Sequence, residues 1–258
     1  MRIAAVSDIH GNLPALEAVA AEIDRAGADL VVNLGDIVSG PLWPHETAAW
    51  LRARGWPAIA GNHERQVLTL PRERMSAADA FAAAALDDAD RAWLAALPAT
   101  RDLGHGAWCC HGTPTSDLRY LLETVTTDFG VAGSPGVRAA RADEVARRLG
   151  DVSAPLVLCG HSHMPRAVRS GGTLAVNPGS VGLPAFDDDH GHRHFMETGA
   201  PHARWALVEL TPAGWQAALH ATAYDWEAAA RRAEANGRGD WADALRTGRV
   251  GRTEAKAS

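Results

Sequence analysis

Ile3-Ala4-Ala5-Val6-Ser7-Asp8-Ile9-His10-Gly11-Asn12 begins as an apolar run and turns abruptly polar. A short apolar run bounded by turn residues predicts a buried strand, here Ile3–Ser7. Leu13, Leu16, Val19, Ala20 and Ile23 then recur at helical spacing. Asn12 is a natural N-cap for that helix, Pro14 fits its first turn and Gly27 closes it. Leu30–Asn33 predicts a second strand, Glu46–Arg54 a second helix and Pro57–Ala60 a third strand. Strand–helix–strand alternation implies parallel pairing and an α/β fold.

Farther along, residues 66–100 are Ala-rich and predict two helices split near Asp87. Gly106–Cys110 returns to strand, Asp117–Gly136 reads as a short helix and a Gly/Pro loop, and Val137–Leu149 reads as helix. Leu156–Cys159 is a further buried strand. Ala167–Ser170, Thr173–Val176, Trp205–Leu210 and Trp215–Ala221 then predict short strands of a second, largely antiparallel sheet. Residues 224–247 predict a helical extension broken at Asn236–Gly239, and 248–258 a frayed polar tail. No repeat or low-complexity linker divides the chain, so 1–247 reads as one domain.

A chain of 258 residues can bury a substantial core. Its formal charge of −6 argues against a general affinity for nucleic-acid backbones. Cys109, Cys110 and Cys159 lie in apolar runs and read as buried reduced thiols rather than a disulfide framework. The chain shows no charged-then-apolar signal pattern, and no apolar stretch reaches the roughly 18 residues that span a bilayer. A cytoplasmic location is the expectation.

Residues of types that can ligate metals stand directly after the predicted strands. Asp8 and His10 follow the first, Asp36 the second, Asn62 and His63 the third; His111 ends a later strand, and His161 and His163 follow the next. Open α/β sheets bind ligands beyond the carboxyl ends of their strands. Asp8, His10, Asp36, Asn62, His111, His161 and His163 together offer more donors than one ion with an open position needs, and they suit two. Mixed nitrogen and oxygen donors favour Mn²⁺, Fe or Zn²⁺ over a thiolate-rich structural site. Asp36, the one carboxylate alone at its strand end, is the natural bridge. A Gly-rich loop ending in Lys-Ser/Thr, a GxGxxG and a GxSxG elbow are all absent.

Asp8-Ile9-His10, Gly35-Asp36, Gly61-Asn62-His63-Glu64, His111-Gly112 and Gly160-His161-Ser162-His163 resemble, in order, the five motifs of the calcineurin-like metallophosphoesterase superfamily. The resemblance covers residues 1 to about 220 and is nearest the small bacterial and archaeal members. It implies a four-layer α-β-β-α sandwich, two mixed sheets flanked by helices. It also implies one ion on Asp8, His10, Asp36 and His163, and a second on Asp36, Asn62, His111 and His161. The implied activity is hydrolysis of phosphomono- or phosphodiesters by in-line attack of a metal-bridging hydroxide. His63 would act on the transition state or the leaving oxygen, and Glu64 would orient His63. Gly35-Asp36-Ile37-Val38-Ser39-Gly40 lacks the extra acid and Arg of the protein Ser/Thr phosphatase branch, which counts against that branch.

The expected substrate is a small phosphate ester such as a nucleotide or an activated ester; a nuclease and a non-enzymatic scaffold on the same fold are the alternatives. The loops at 113–136 and 186–203 are expected to form the substrate rim, with Arg119 as a phosphate clamp. Asp117 and Tyr120 stand near it in the chain. Asn177 and Ser180 are expected to shape a turn. The run Asp187-Asp188-Asp189-His190-Gly191-His192-Arg193-His194 matches no family motif. It reads either as a solvated loop or as three histidines on one strand face.

Overall fold

The computed structural model describes residues 1–252. Strand β1 (Arg2–Val6) leads into helix α1 (Leu13–Ala26), strand β2 (Leu30–Asn33) and helix α2 (Pro44–Arg54). Helices α3 (Asn62–Thr69), α4 (Ala77–Ala85) and α5 (Asp88–Ala95) precede strands β3 (Thr100–Gly104) and β4 (Ala107–Cys110). Strands β5 (Glu123–Val125) and β6 (Val137–Ala139) pair antiparallel ahead of α6 (Ala142–Leu149). The chain continues through β7 (Leu156–Leu158), β8 (Arg166–Ser170), β9 (Thr173–Asn177), β10 (Ala185–Asp188) and β11 (His194–Glu197). It then runs through β12 (Ala203–Thr211), β13 (Gly214–Thr222), α7 (Trp226–Ala235) and α8 (Gly239–Thr247).

One sheet has the order β13-β12-β1-β2 and the other β3-β4-β7-β9-β8. Both are mixed: β1 pairs parallel with β2 but antiparallel with β12, and β7 is parallel to β4 and β9 while β8 is antiparallel to β9. Alternation along the strands explains the layering. Ile3 and Ala5 of β1 meet Cys109, Leu156, Leu158 and Val176 in a core between the sheets. Ala4 and Val6 face the other way, onto Leu16, Val19 and Ile23 of α1. Val157 and Ala175 turn outward to Val145 and Leu149 of α6. A strand covered on both faces reads as a continuous apolar run, because neither side of its period-two pattern meets water. The result is helices, two mixed sheets and helices. Each large aliphatic side chain buried there stabilises the fold by about 1.5–3 kcal/mol.

Asn12 caps α1 by accepting from the Ala15 N–H, and Gly27 ends it at φ 69°. Several sequence expectations need correction. The late strands form no separate antiparallel sheet: β12 and β13 extend the first sheet, and β8 and β9 join the second. Pro57–Ala60 makes a single parallel bridge, Asn33 to Ala58, because Pro57 has no N–H to give a ladder. Residues 66–100 hold the end of α3, which begins as early as Asn62, a 3₁₀ turn at Arg72–Arg74, and then α4 and α5, with Asp87 capping the last. The helix expected over Val137–Leu149 starts at Ala142, since 137–139 pair with 123–125, and the short helix expected within Asp117–Gly136 is replaced by β5 and a 3₁₀ turn at Val131–Gly133. Residues 248–252 are tied down: Gly199 N donates to Gly248 O at 2.8 Å and Val250 N to Glu197 Oε1 at 2.7 Å. The rest of the expected tail, 253–258, lies outside the described residues.

Candidate metal centre

The structure brings Asp8, His10, Asp36, Asn62, His111, His161 and His163 together, all buried, at one edge of the paired sheets. Asp8 and His10 leave β1, Asp36 leaves β2, Asn62 opens α3, His111 follows β4, and His161 and His163 follow β7. Donor atoms of Asp8, His10 and His163 lie within 4.8 Å of one another, as do those of Asp36, His111 and His161. Five of these residues adopt left-handed backbone: Asp8 (φ 54°), His10 (52°), Asp36 (54°), His161 (68°) and His163 (58°). Non-glycine residues there cost about 1–2 kcal/mol each, and such strain clusters at functional sites. The loops cross closely enough that a Cβ at Gly61 would overlap the Asp36 carboxylate and one at Gly160 would overlap Ser7 Oγ.

The ring orientations test whether cations fit. His10 Nδ1 donates to Ser39 O, His163 Nδ1 to Leu183 O and His111 Nδ1 to Leu34 O, each at 2.7 Å. A carbonyl only accepts, so each ring holds a proton on Nδ1 and turns Nε2 inward. His10 Nε2 and His163 Nε2 then stand 3.1 Å apart, two lone pairs face to face. A shared cation relieves that arrangement. Burial holds His10 down at about 4 and His163 well below the ordinary range, so these rings stay neutral and ready to ligate. Burial and the neighbouring His111 lower His161 to about 3. His111 is different. Burial opposes its charge, yet Asp36, with Oδ2 3.0 Å from Nε2, outweighs it and pushes the ring up to about 10. Asn62 Oδ1 stands 3.2 Å from the same Nε2, so positive charge is favoured at that point. The chemistry of the donor set, neutral imidazoles and carboxylates gathered in two clusters, fits divalent cations.

His63 lies on the wall of the cavity above these residues, a space of about 490 Å³. Its partner is Asp79, which sequence reading missed: Asp79 Oδ1 accepts from His63 Nδ1 at 2.7 Å and from Ser39 Oγ at 2.7 Å. Ser76 Oγ donates to Asp79 Oδ2 at 2.8 Å. Burial opposes a charge on His63, but Asp36 and Asp79 outweigh it and push the ring up to about 9. The findable signal was Ser76-x-x-Asp79, an N-terminal pattern that normally serves a helix alone. Glu64 does not orient His63 and touches no substrate space. Its carboxylate accepts the backbone N–H groups of Asp36, Ile37 and Gly61, each at 2.8 Å, and so fixes the Asp36 loop.

Arg119 is exposed and does not line the cavity, which removes it as a clamp. Asp117 is taken by Arg65 at 2.7 Å. Tyr120 packs its ring 4.8 Å from His161 and donates to His194 Nε2 at 2.9 Å; His194 Nδ1 in turn donates to His192 O at 2.7 Å. The acidic–histidine run is therefore a β-hairpin, β10–β11, with His194 buried and His190 and His192 exposed. Of the two expected rim segments, 113–136 contributes Leu118, whereas 186–203 contributes Phe186 through His190. Asn177 and Ser180 shape their turn and brace the site: Asn177 Nδ2 donates to Gly160 O at 2.7 Å and Ser180 Oγ to Asp8 O at 2.7 Å. Helix α8 was not expected at the site, yet Trp241 stands edge-on to His10 at 5.8 Å.

This fold, with Asp and His clusters that could hold metal ions at one sheet edge, is that of the metallophosphoesterase class. The family profile described as the calcineurin-like phosphoesterase superfamily domain matches residues 1–198, and the chain belongs to that superfamily. A metallophosphoesterase from Sphaerobacter thermophilus shares the fold at TM-score 0.73 and 24% identity, over 96% of this chain and 99% of the other. Hypothetical protein PH1004 from Pyrococcus horikoshii does so at TM-score 0.74 and 16% identity, over 97% and 99%. The uncharacterized protein MJ0912 of Methanocaldococcus jannaschii is 41% identical over 66 residues, which are 26% of this chain and 27% of that relative's length.

Proposed function

We propose that residues 1–247 form one metallophosphoesterase domain, with 224–247 as its helical extension, and that it hydrolyses small phosphate esters with two divalent ions. Asp8, His10, Asp36 and His163 would hold one ion, and Asp36, Asn62, His111 and His161 the other. The nitrogen and oxygen donors favour Mn²⁺, Fe or Zn²⁺. Ions so held supply Lewis acidity toward phosphoryl oxygens and lower the pKa of water. The observation that carries this reading is the facing pair of His10 and His163 lone pairs at 3.1 Å, beside a second donor cluster that shares the same buried space.

The chain's own residues account for the remaining steps. Glu64 holds the Asp36 loop through three backbone N–H groups, fixing the bridge before substrate arrives. Asp79 occupies Nδ1 of His63, leaving Nε2 for a proton delivered to the leaving oxygen of the ester. The Asp187–Asp189 carboxylates on the cavity wall disfavour a polyanionic nucleic acid and favour a small ester. No helix among the described residues is long and apolar enough to cross a membrane. The free, buried Cys109, Cys110 and Cys159 support a reducing, cytoplasmic setting. A scaffold that has lost catalysis has no need to keep every ligand position filled.

The test is a panel of phosphomonoesters and phosphodiesters assayed with Mn²⁺, Fe²⁺ and Zn²⁺ alongside elemental analysis. Two ions per chain with chelator-sensitive hydrolysis is the expected result. Two bound ions without turnover of any ester would remove the enzymatic reading.

A further inference from the structure

The cavity that the metal centre opens into is also lined by aromatic and acidic residues that take no part in that centre. Two aromatic rings border the His10–His163 pair: Phe186 lies 4.5 Å from the His163 ring and Trp241 5.8 Å from the His10 ring. Beyond them Asp187 and Asp188 continue along β10, so carboxylates follow the aromatic surface on one strand. Trp241 is held rigidly. A Cβ at Gly40 would stand 2.8 Å from its Cη2 atom, and the Arg238 guanidinium lies 5.7 Å from its ring centroid while bonding Asp240. This wall belongs to α8, beyond the residues 1–198 that the family profile matches.

With a phosphoryl group at the metal centre, the alcohol half of an ester extends into this space. Flat aromatic surface recognises planar rings by stacking, with little regard for their substituents. A carboxylate accepts from paired sugar hydroxyls, as acidic residues do for ribose in dinucleotide sites. Burial raises the Asp187 carboxyl above its ordinary range, so hydroxyl donors there favour its charged form. A small head group leaves most of the cavity unfilled, whereas about 490 Å³ falls within the roughly 300–1,000 Å³ that larger ligands occupy.

We propose that Phe186, Trp241, Asp187 and Asp188 form a subsite for the nucleoside half of a nucleotide ester. The base stacks on Phe186 with Trp241 as the fixed back wall, and the sugar hydroxyls reach the two carboxylates. This rests on the phosphoester reading of the metal centre. It makes the substrate a nucleotide rather than a simple alkyl phosphate.

The test is calorimetric titration of the Mn²⁺-loaded protein with adenosine 5′-monophosphate, ribose 5-phosphate and methyl phosphate. Stacking of one base corresponds to about 5- to 150-fold in affinity. Adenosine monophosphate should therefore bind at least about fivefold tighter than methyl phosphate, with ribose 5-phosphate between them. Phe186→Ala should collapse that ratio, and Phe186→Leu, which keeps apolar volume at the hairpin, should collapse it too. Asp187→Ala should narrow the step between ribose 5-phosphate and methyl phosphate, and the double variant Asp187→Ala with Asp188→Ala should erase it. Equal affinity for all three ligands overturns the subsite, as does an equal loss for all three in Phe186→Leu. Assaying the same proteins on nitrophenyl esters separates the two readings. Selective nucleotide binding without hydrolysis of any ester keeps the subsite and removes the phosphoesterase. Hydrolysis without selectivity does the reverse.

Discussion

Replacing Asp79 with Asn preserves shape and removes one buried negative charge. Asp79 holds His63 Nδ1 at 2.7 Å through the same oxygen that accepts Ser39 Oγ, so the substitution weakens a charge-assisted bond within a three-donor network. Bonds to charged groups contribute about 1.5–3 kcal/mol. If the whole of that were lost in the transition state, the rate would fall about 10- to 150-fold. Because Asp79 acts through His63, the loss should follow the leaving group. Nitrophenolate departs without a proton and should show little change, while alkoxide leaving groups should approach the upper figure. The assay is kcat over a series of phosphodiesters of graded leaving-group pKa, for the wild type, Asp79→Asn and His63→Ala. Metal content and melting temperature are measured on each protein. Asp79→Asn should steepen the plot of log kcat against leaving-group pKa in the same sense as His63→Ala, with metal content intact. A loss of equal size on every ester, with the slope unchanged, refutes the positioning role.

Asp36→Asn should lower the affinity of both metal ions together, whereas His10→Ala should weaken one; elemental titration that finds two normal sites in Asp36→Asn would contradict the bridge. Gly61→Ala should cost metal affinity and activity, because its Cβ collides with the Asp36 carboxylate; an alanine variant with wild-type metal content would show that the loop gives way. Glu64→Gln should loosen the same loop by leaving backbone donors poorly matched, costing about 1–3 kcal/mol in thermal or urea unfolding. The hydrogen bond from His45 to Asp90, at 2.7 Å, raises the pKa of that imidazole above its ordinary value. Its contribution to stability is therefore complete below about pH 6.5 and fades as pH rises through the raised value. His45→Gln should melt below wild type under acidic conditions, with the gap closing as pH rises through the raised value; a gap independent of pH would dismiss the ion pair.

The strands that carry the site were legible because their chemistry is local. Ile3–Val6 and Leu156–Leu158 are buried on both faces and announce themselves as apolar runs, and each ends in a polar turn that bears candidate ligands. The edge strand β3 was invisible, since Leu103 is its one large apolar residue and its outer face meets water. The hairpin β10–β11 hid for a similar reason: its register pairs Asp187 with Phe195 and Asp188 with His194, so the polar residues line the cavity or meet Tyr120 instead of forming an apolar stripe. Asp79 and Trp241 reach the site from helices whose own patterns describe only helix caps and cores. What brings them there is packing between elements far apart in the chain, such as Trp241 against Gly40, which no local spacing encodes.

The left-handed backbone at Asp8, His10, Asp36, His161 and His163 carries a steric cost. Glycine would occupy any of these positions without steric cost, and each such replacement would relieve about 1 kcal/mol of backbone strain while deleting a donor. The same replacements would empty a buried position, and at Asp8, His10, Asp36 and His163 would strip a partner from the His161 N–H, the Ser39 carbonyl, the His63 N–H and the Leu183 carbonyl. An unpartnered buried polar group costs about 1–3 kcal/mol, more than the strain it would relieve. The strained backbone is therefore held in place by the bonds of the very side chains it aims inward.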